Sequence, residues 1–222
     1  VLTRYDVALR RPCPLREAAV VSDLHNEPFD DILPMLQGAD AVFVPGDLVE
    51  RYFGGSERGL AFLREAVRIA PTYYAMSNHE ARMLAGGRLD AERFEAAVRE
   101  TGATLLQDDF VRKDGFAVGG FRLPEEHPAK LDAFCALPCC RLLLCHHPER
   151  YDAHLRGRVD LVISGHAHGG QWRLFGRGLY APGQGLFPKY TAGMPAPDFV
   201  VSRGAGNPSG IPRIFNPCEV LR

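Results

Sequence analysis

No run of eighteen or more apolar residues occurs in the chain, so the sequence offers no candidate for a membrane-spanning helix. A basic-then-apolar leader is also missing, since Val1 opens directly into the strand-like YDVALR. The expectation is a soluble, cytoplasmic protein, with a membrane-associated or exported one as the alternative if a leader segment was removed. Charge of one sign is absent as well: 26 Lys and Arg against 27 Asp and Glu leave a formal net charge of −1. That balance gives no sequence-independent pull toward nucleic acid or an anionic membrane, so any phosphate recognition must be local. Six cysteines occur without a pair of CxxC elements, which excludes a structural zinc knuckle. Cys145 lies in an apolar run and reads as a small buried side chain, and Cys139-Cys140 fits a reduced compartment. The glycine clusters FGG at 53–55 and GGR at 86–88 lack the following Gly-Lys-Ser/Thr of a P-loop. No repeat, low-complexity tract or change of composition divides the chain, and one domain over residues 1–222 is expected.

What the sequence does hold is a recurring junction. Five short apolar runs each stop at residues able to bind metal. AAVV meets Ser22-Asp23-Leu24-His25, AVFV meets Pro45-Gly46-Asp47, and YYAM meets Ser77-Asn78-His79. LLLC then meets His146-His147, and LVI meets Ser164-Gly165-His166-Ala167-His168. Buried strands read as such runs, and in open α/β sheets ligands bind beyond the strand carboxyl ends. Asp23 and His25 are two apart, as are His166 and His168; in extended chain such pairs point the same way and aim into one cavity. The donors are imidazole, carboxylate and one Asn amide, without thiolate. That set suits Mn²⁺, Fe or Zn²⁺ at a catalytic site rather than a closed structural zinc. More than four converging ligands imply two ions.

Coarse elements can be placed around these junctions. Strands are expected near 4–9, 17–22 and 41–45, with a helix opened by Pro28 that takes in DDILPML. SERGLAFLREAVRIA has Leu60, Phe62, Leu63, Val67 and Ile69 near helical spacing, Ser56 as N-cap and Pro71 beyond its end. DAERFEAAVRE reads as a second long helix. Short strands TLLQ, DFVRK and GFAVGG follow, with Asp114-Gly115 as a hairpin signal. A strand at 141–145, a short helix near 149–155, a strand at 159–163 and tail strands DFVVS, PRIF and CEVLR complete the order. The count fits an α/β (α+β) protein: a four-layer αββα sandwich, two mixed sheets flanked by helices.

DLH, PGDL, SNHE, a His after an apolar strand, and GHAH together resemble the five motifs of the calcineurin-like metallophosphoesterases, in order from residue 23 to residue 168. GHAHGGQ and the closing SRGAG…IPRIFNPCEV are similar to a subgroup of small bacterial phosphohydrolases, including phosphodiesterase-like members and some that act on lipid-linked nucleotide sugars. The resemblance implies that Asp23, His25, Asp47 and His168 hold a first divalent ion, and Asp47, Asn78, His146 and His166 a second, Mn²⁺ being the foremost candidate. Asp47 serves both because its carboxylate has two oxygens. A hydroxide bridging the pair then attacks phosphorus in a phosphodiester, phosphomonoester or pyrophosphate. His79, which is not a ligand, is implied to assist the leaving oxygen as acid or charge stabiliser, with Glu80 either orienting it or serving only as a charge at a helix start.

His146 rather than His147 fits the ligand position, because it directly follows the strand. His127 and His154 lie outside every motif. Arg82 and Arg203 are candidates for binding substrate phosphate, or else members of surface ion pairs. Ser77 stands where the family commonly has Gly, which bears on the tightness of that turn. The Gly- and Pro-rich loop 169–197 carries Trp172, Leu174, Phe175, Leu179, Tyr180, Leu186, Phe187 and Tyr190 beside Arg173, Arg177 and Lys189. These side chains either pack on a sheet or form a lid or lipid-facing rim. The expected partner is a phosphate-ester small molecule or a lipid-linked substrate, membrane contact running through that loop. A scaffold that has kept its metals and lost catalysis is the alternative from another class.

Overall fold

The computed structural model describes residues 1–50, 55–207 and 210–222; Phe53-Gly54 of the first glycine cluster falls outside them. In chain order the first strands are β1 Leu2–Thr3, β2 Ala18–Val20, β3 Ala41–Val44, β4 Thr72–Ala75 and β5 Thr104–Leu106. β6 Asp109–Arg112, β7 Phe116–Gly120, β8 Cys140–Leu144 and β9 Leu161–Ser164 follow. Four two-residue strands, β10 Arg173–Leu174, β11 Arg177–Gly178, β12 Tyr180–Ala181 and β13 Gly185–Leu186, precede β14 Gly193–Ala196, β15 Phe199–Val201 and β16 Val220–Leu221. The α-helices are α1 Leu33–Leu36, α2 Glu57–Ile69, α3 Asn78–Ala85, α4 Ala91–Glu100 and α5 Pro128–Cys135.

Two six-stranded mixed sheets result, ordered β1-β16-β2-β3-β4-β5 and β14-β15-β9-β8-β7-β6. β2 to β5 run parallel, as do β7, β8, β9 and β15. Strand alternation assigns each sheet two apolar faces. Phe43, Tyr73 and Ala75 pack inward with Val118, Leu142, Leu144 and Ile163 of the other sheet. Val42, Val44 and Tyr74 face outward, where Leu60, Phe62 and Leu63 of α2, Met83 of α3 and Phe94 and Val98 of α4 cover them. On the far side, Ala117, Leu143 and Val162 meet Leu131 and Phe134 of α5 with Tyr151 and Leu155. The layers are therefore helix, sheet, sheet, helix, as the apolar runs imply. Among the described residues no helix is long and apolar enough to cross a membrane.

Several local expectations change. The helix expected from Pro28 shrinks to α1, with Pro34 in its first turn; a proline lacks the N–H that a longer helix would need there. Only Leu2–Thr3 pairs near the N-terminus, while Tyr5, Val7 and Leu9 close the edge of the inter-sheet core as unpaired chain. PRIF supplies a single bridge, Ile214 to Trp172. Helix α5 carries too weak an amphipathic pattern to stand out in the sequence. Ser56 does sit at the N-cap of α2, but its side chain makes no cap bond.

Candidate metal centre

Every metal-ligand candidate follows a strand end. β2 runs into Asp23 and His25, β3 into Asp47, β4 into Asn78 and His79, β8 into His146, and β9 into His166 and His168. Parallel neighbours put these ends on the same side of their sheets. Backbone bonds then stitch the loops together: the Asp23 N–H donates to Gly46 O at 3.1 Å, the His25 N–H to Asp47 O at 3.0 Å, and the Gly165 N–H to His146 O at 3.1 Å.

The extended-chain premise does not survive. Asp23, His25, Asp47, His166 and His168 have φ of 53°, 52°, 50°, 68° and 45°, all in the left-handed region. The paired side chains converge because the backbone coils at each ligand, an arrangement that costs on the order of 1–3 kcal/mol per residue and clusters at functional sites. The backbone approaches closely at Gly46, with φ +128°, where a Cβ would stand 2.5 Å from Ser77 Cβ and 2.9 Å from His146 Nδ1. Ser77, by contrast, has φ −128°. Its turn never needed glycine. Its hydroxyl accepts from the Asp47 N–H at 2.7 Å and contacts the Asp47 carboxylate, so the residue helps to hold a ligand.

Among the described residues four groups of donor atoms form: Asp23 with His25 and His168, Asp47 with His146 and His166, His25 with Glu50 and His79, and His147 with Glu149 and His166. In the first, His168 Nε2 lies 3.5 Å from Asp23 Oδ1 and 3.2 Å from His25 Nε2. In the second, His146 Nε2 lies 3.1 Å from Asp47 Oδ2. That Asp47 oxygen is also 3.8 Å from His25 Nε2, which places it between the clusters. The Asn78 side-chain oxygen is buried with no hydrogen-bond partner, and so is Nδ1 of His146. Orphaned buried acceptors are costly unless a cation or water meets them. Bonds of about 2.0–2.1 Å from one ion to two nitrogens at roughly right to tetrahedral angles separate those nitrogens by about 2.8–3.4 Å. The His25–His168 spacing falls inside that range, and the residues fit a pair of divalent cations.

Burial disfavours charge throughout the cluster, and the neighbours decide the outcome. Burial raises Asp47, but His146, His25 and His79 outweigh it and hold the carboxyl well below its usual value. Burial lowers His146, yet the Asp47 and Asp23 carboxylates lift it to about 9. His166 is pushed down to about 2 by burial and by His146 and His147, and His168 to about 4 by burial and by His25 and Arg213. His79 is lowered, chiefly by burial.

The other candidates divide. His79 Nε2 lies 3.8 Å from Asp47 Oδ2, inside the cluster. The fully buried Glu80 carboxylate is engaged elsewhere: it accepts from the N–H groups of Leu48 and Ser77 at 2.8 and 2.9 Å, closing a capping box on α3. Glu50 is the carboxylate beside His79 Nδ1, at 3.9 Å, and it also stands 3.2 Å from His25 Nδ1. Arg82 is exposed on α3 and makes no ion pair among the described residues. Arg203 is held by Glu219 at 2.5 Å and Thr3 at 3.3 Å; the phosphate-binding candidate is a structural ion pair. Arg213, which lies in the closing IPRIFNPCEV segment but is not among the site candidates, brings Nη2 to 2.9 Å from His168 Nδ1. Asn216 donates to His168 O at 2.7 Å and braces the same loop. His147 turns to Glu149 at 3.2 Å instead of Asp47. His127 and His154 sit 3.5 and 3.8 Å from Asp108 and Glu125, as half-buried pairs away from the cluster.

A family model described as calcineurin-like phosphoesterase matches residues 18–170, which contain every donor named above. No curated protein matches the chain. Among solved structures, the chain is similar to the nuclease MPE of Pseudomonas putida at 14% identity and a TM-score of 0.35, over 69% of this chain and 61% of that one.

Proposed function

The chain belongs to the calcineurin-like phosphoesterase family; from that premise we propose that it is a metal-dependent phosphohydrolase that works with two divalent cations, Mn²⁺ foremost, on a phosphodiester, phosphomonoester or pyrophosphate. The observation that carries the reading is the pair of donor clusters meeting at Asp47. Asp23, His25, Asp47 and His168 would hold one ion, and Asp47, Asn78, His146 and His166 the other. Fe and Zn²⁺ suit the same donors. When bound, such a pair polarises phosphoryl oxygens and brings water toward ionisation near neutral pH for attack on phosphorus.

The chain's own residues do the positioning. Ser77 and the His79 N–H fix one Asp47 oxygen, leaving Oδ2 toward His25 and His146. His79, beside Asp47 and grouped with His25 and Glu50, would meet a leaving oxygen. Glu50 takes the orienting role first considered for Glu80, since it borders the Nδ1 atoms of both His79 and His25. The test is direct. Chelation abolishes hydrolysis of bis-(p-nitrophenyl) phosphate, Mn²⁺ restores it, and Asp47→Ala cannot be restored; no metal-dependent turnover on any panel of phosphate esters would refute the proposal.

A further inference from the structure

The chain beyond His168 joins two features that the metal centre does not use. Between Asp160 and Glu219 one carboxylate occurs, Asp198, against five basic residues: Arg173, Arg177, Lys189, Arg203 and Arg213. That stretch carries +4 in a chain of net −1, which leaves −5 for the rest. Part of that charge is matched from outside the stretch, Arg203 by Glu219 and Lys189 by Asp152, which leaves the hairpin residues Arg173 and Arg177 without an ion pair among the described residues. Asp198 is itself buried, receiving Tyr151 Oη at 2.5 Å and Arg10 at 3.1 Å.

Over the same stretch apolar side chains stand outward. Phe175, Phe187 and Phe215 are 105%, 79% and 80% exposed, and Leu186 is 73% exposed. Trp172, Leu174, Tyr180, Ile211 and Ile214 are exposed with them. Packing on the sheet, one of the two readings of loop 169–197, fails for these residues, although Tyr190 does pack there. The loop folds instead into two small hairpins, β10-β11 and β12-β13. Trp172 pairs with Ile214, and Phe175 and Phe215 line one surface hollow of about 310 Å³ with Arg173. The Leu179 N–H donates to Trp172 O and the Phe187 N–H to Leu179 O, which ties the second hairpin to the first.

The backbone at the three phenylalanines is informative. Their φ values are 49°, 52° and 51°, a region that bulky side chains avoid. Within the chain these rings gain little contact in return. Strain that displays an apolar ring to solvent is accounted for if the ring is buried against something else.

We propose that residues 172–187, with the neighbouring Ile211 to Phe215 segment, dock on an anionic lipid bilayer. The Phe rings and Leu186 enter the boundary between headgroups and acyl chains, while the exposed Arg177 meets lipid phosphate. Each basic residue brought to such a surface strengthens binding by about fivefold. Within the two hairpins, 173–186, the sequence holds no carboxylate to oppose the approach. A second copy of the chain would set Arg173 and Arg177 of the two first hairpins against each other. Single-stranded nucleic acid would use the aromatic faces, but Leu174, Leu186, Ile211 and Ile214 offer nothing to a stacked base. Lipid uses them all. The inference rests on the phosphohydrolase reading only in that Gly169 follows His168 directly, so docking brings the catalytic cleft to the membrane.

The experiment floats the full chain with vesicles of phosphatidylcholine, with and without about one-third phosphatidylglycerol. Binding at least about tenfold tighter to the anionic vesicles is expected. Phe175→Asn/Phe187→Asn/Phe215→Asn should lose binding by about tenfold or more while keeping its thermal midpoint and its turnover of soluble bis-(p-nitrophenyl) phosphate, because Asn tolerates left-handed backbone. The proposal is overturned if the wild type floats with neither vesicle, if the triple variant floats as well as the wild type, or if an oligothymidylate binds while vesicles do not. Flotation that is lost in the triple variant supports docking even where no ester is turned over, an outcome that would count against the phosphohydrolase reading alone.

Discussion

His25 Nε2 and His168 Nε2 face each other at 3.2 Å, with Asp23 Oδ1 3.5 Å from the second of them. Two imidazole lone pairs do not share that space without a proton or a cation between them. The metal account therefore predicts site-selective loss. His25→Ala and His168→Ala should each lower bound Mn²⁺ from about two to about one per chain, whereas Asp47→Ala, which removes the shared carboxylate, should lose both. Metal analysis after desalting checks this, and equal loss in all three variants would disprove a division into two clusters.

His79→Ala is expected to keep its metal and lose about 10²–10⁴ in kcat, because the ring assists the leaving oxygen without binding an ion. A variant that lost metal in step with activity would make His79 a ligand instead.

Glu50 and Glu80 should separate by kind of defect. Glu50→Gln leaves His25 and His79 without their charged neighbour and should weaken metal affinity or activity by about 10–100-fold, with the fold intact. Glu80→Gln disturbs a buried acceptor of backbone N–H groups and should cost about 1–3 kcal/mol of stability while the folded fraction keeps its activity. Thermal unfolding and kcat measured on both variants decide between the roles. The reverse pattern would return the orienting role to Glu80.

In the metal-free protein His146 keeps its proton up to about pH 9, because Asp47 and Asp23 outweigh its burial. A cation can bind that ring only by expelling the proton. Apparent metal affinity should therefore rise by about tenfold per pH unit through neutrality and level off above about 9. His166 and His168, lowered to about 2 and 4, are already neutral there and add no slope. Calorimetric titration of Mn²⁺ between about pH 6 and pH 8 should show this slope in the wild type and a smaller but non-zero one in His146→Asn, because at the remaining site His25, whose burial is outweighed by Glu50, Asp47 and Asp23, is also raised and still gives up a proton.

The layered fold and the gathering of the strand-end donors were legible because strand alternation and apolar runs ending in such donors leave a strong local mark. AVFV followed by Pro-Gly-Asp carries its meaning within seven residues. Glu50 and Arg213 left no such mark: one carboxylate in 27 acidic residues, and one guanidinium in a tail segment, gain their roles only when distant loops meet. For Arg203 the sequence left a phosphate contact and an ion pair both open for the same reason, since its partner Glu219 is sixteen residues away on the approach to β16. The pairs Asp23/His25 and His166/His168 were identified on a mistaken geometric premise, extended chain standing in for left-handed turns. Exposure of Phe175, Phe187 and Phe215 was hidden too, because hydrophobicity alone favours burial and backbone sign cannot be read from a phenylalanine.

Anomalous diffraction from crystals grown with Mn²⁺ tests the central claim most directly. Two peaks are predicted, one among Asp23, His25 and His168 and one among Asp47, Asn78, His146 and His166, with Asp47 touching both. A lone peak elsewhere, or none in the cluster, would contradict the account.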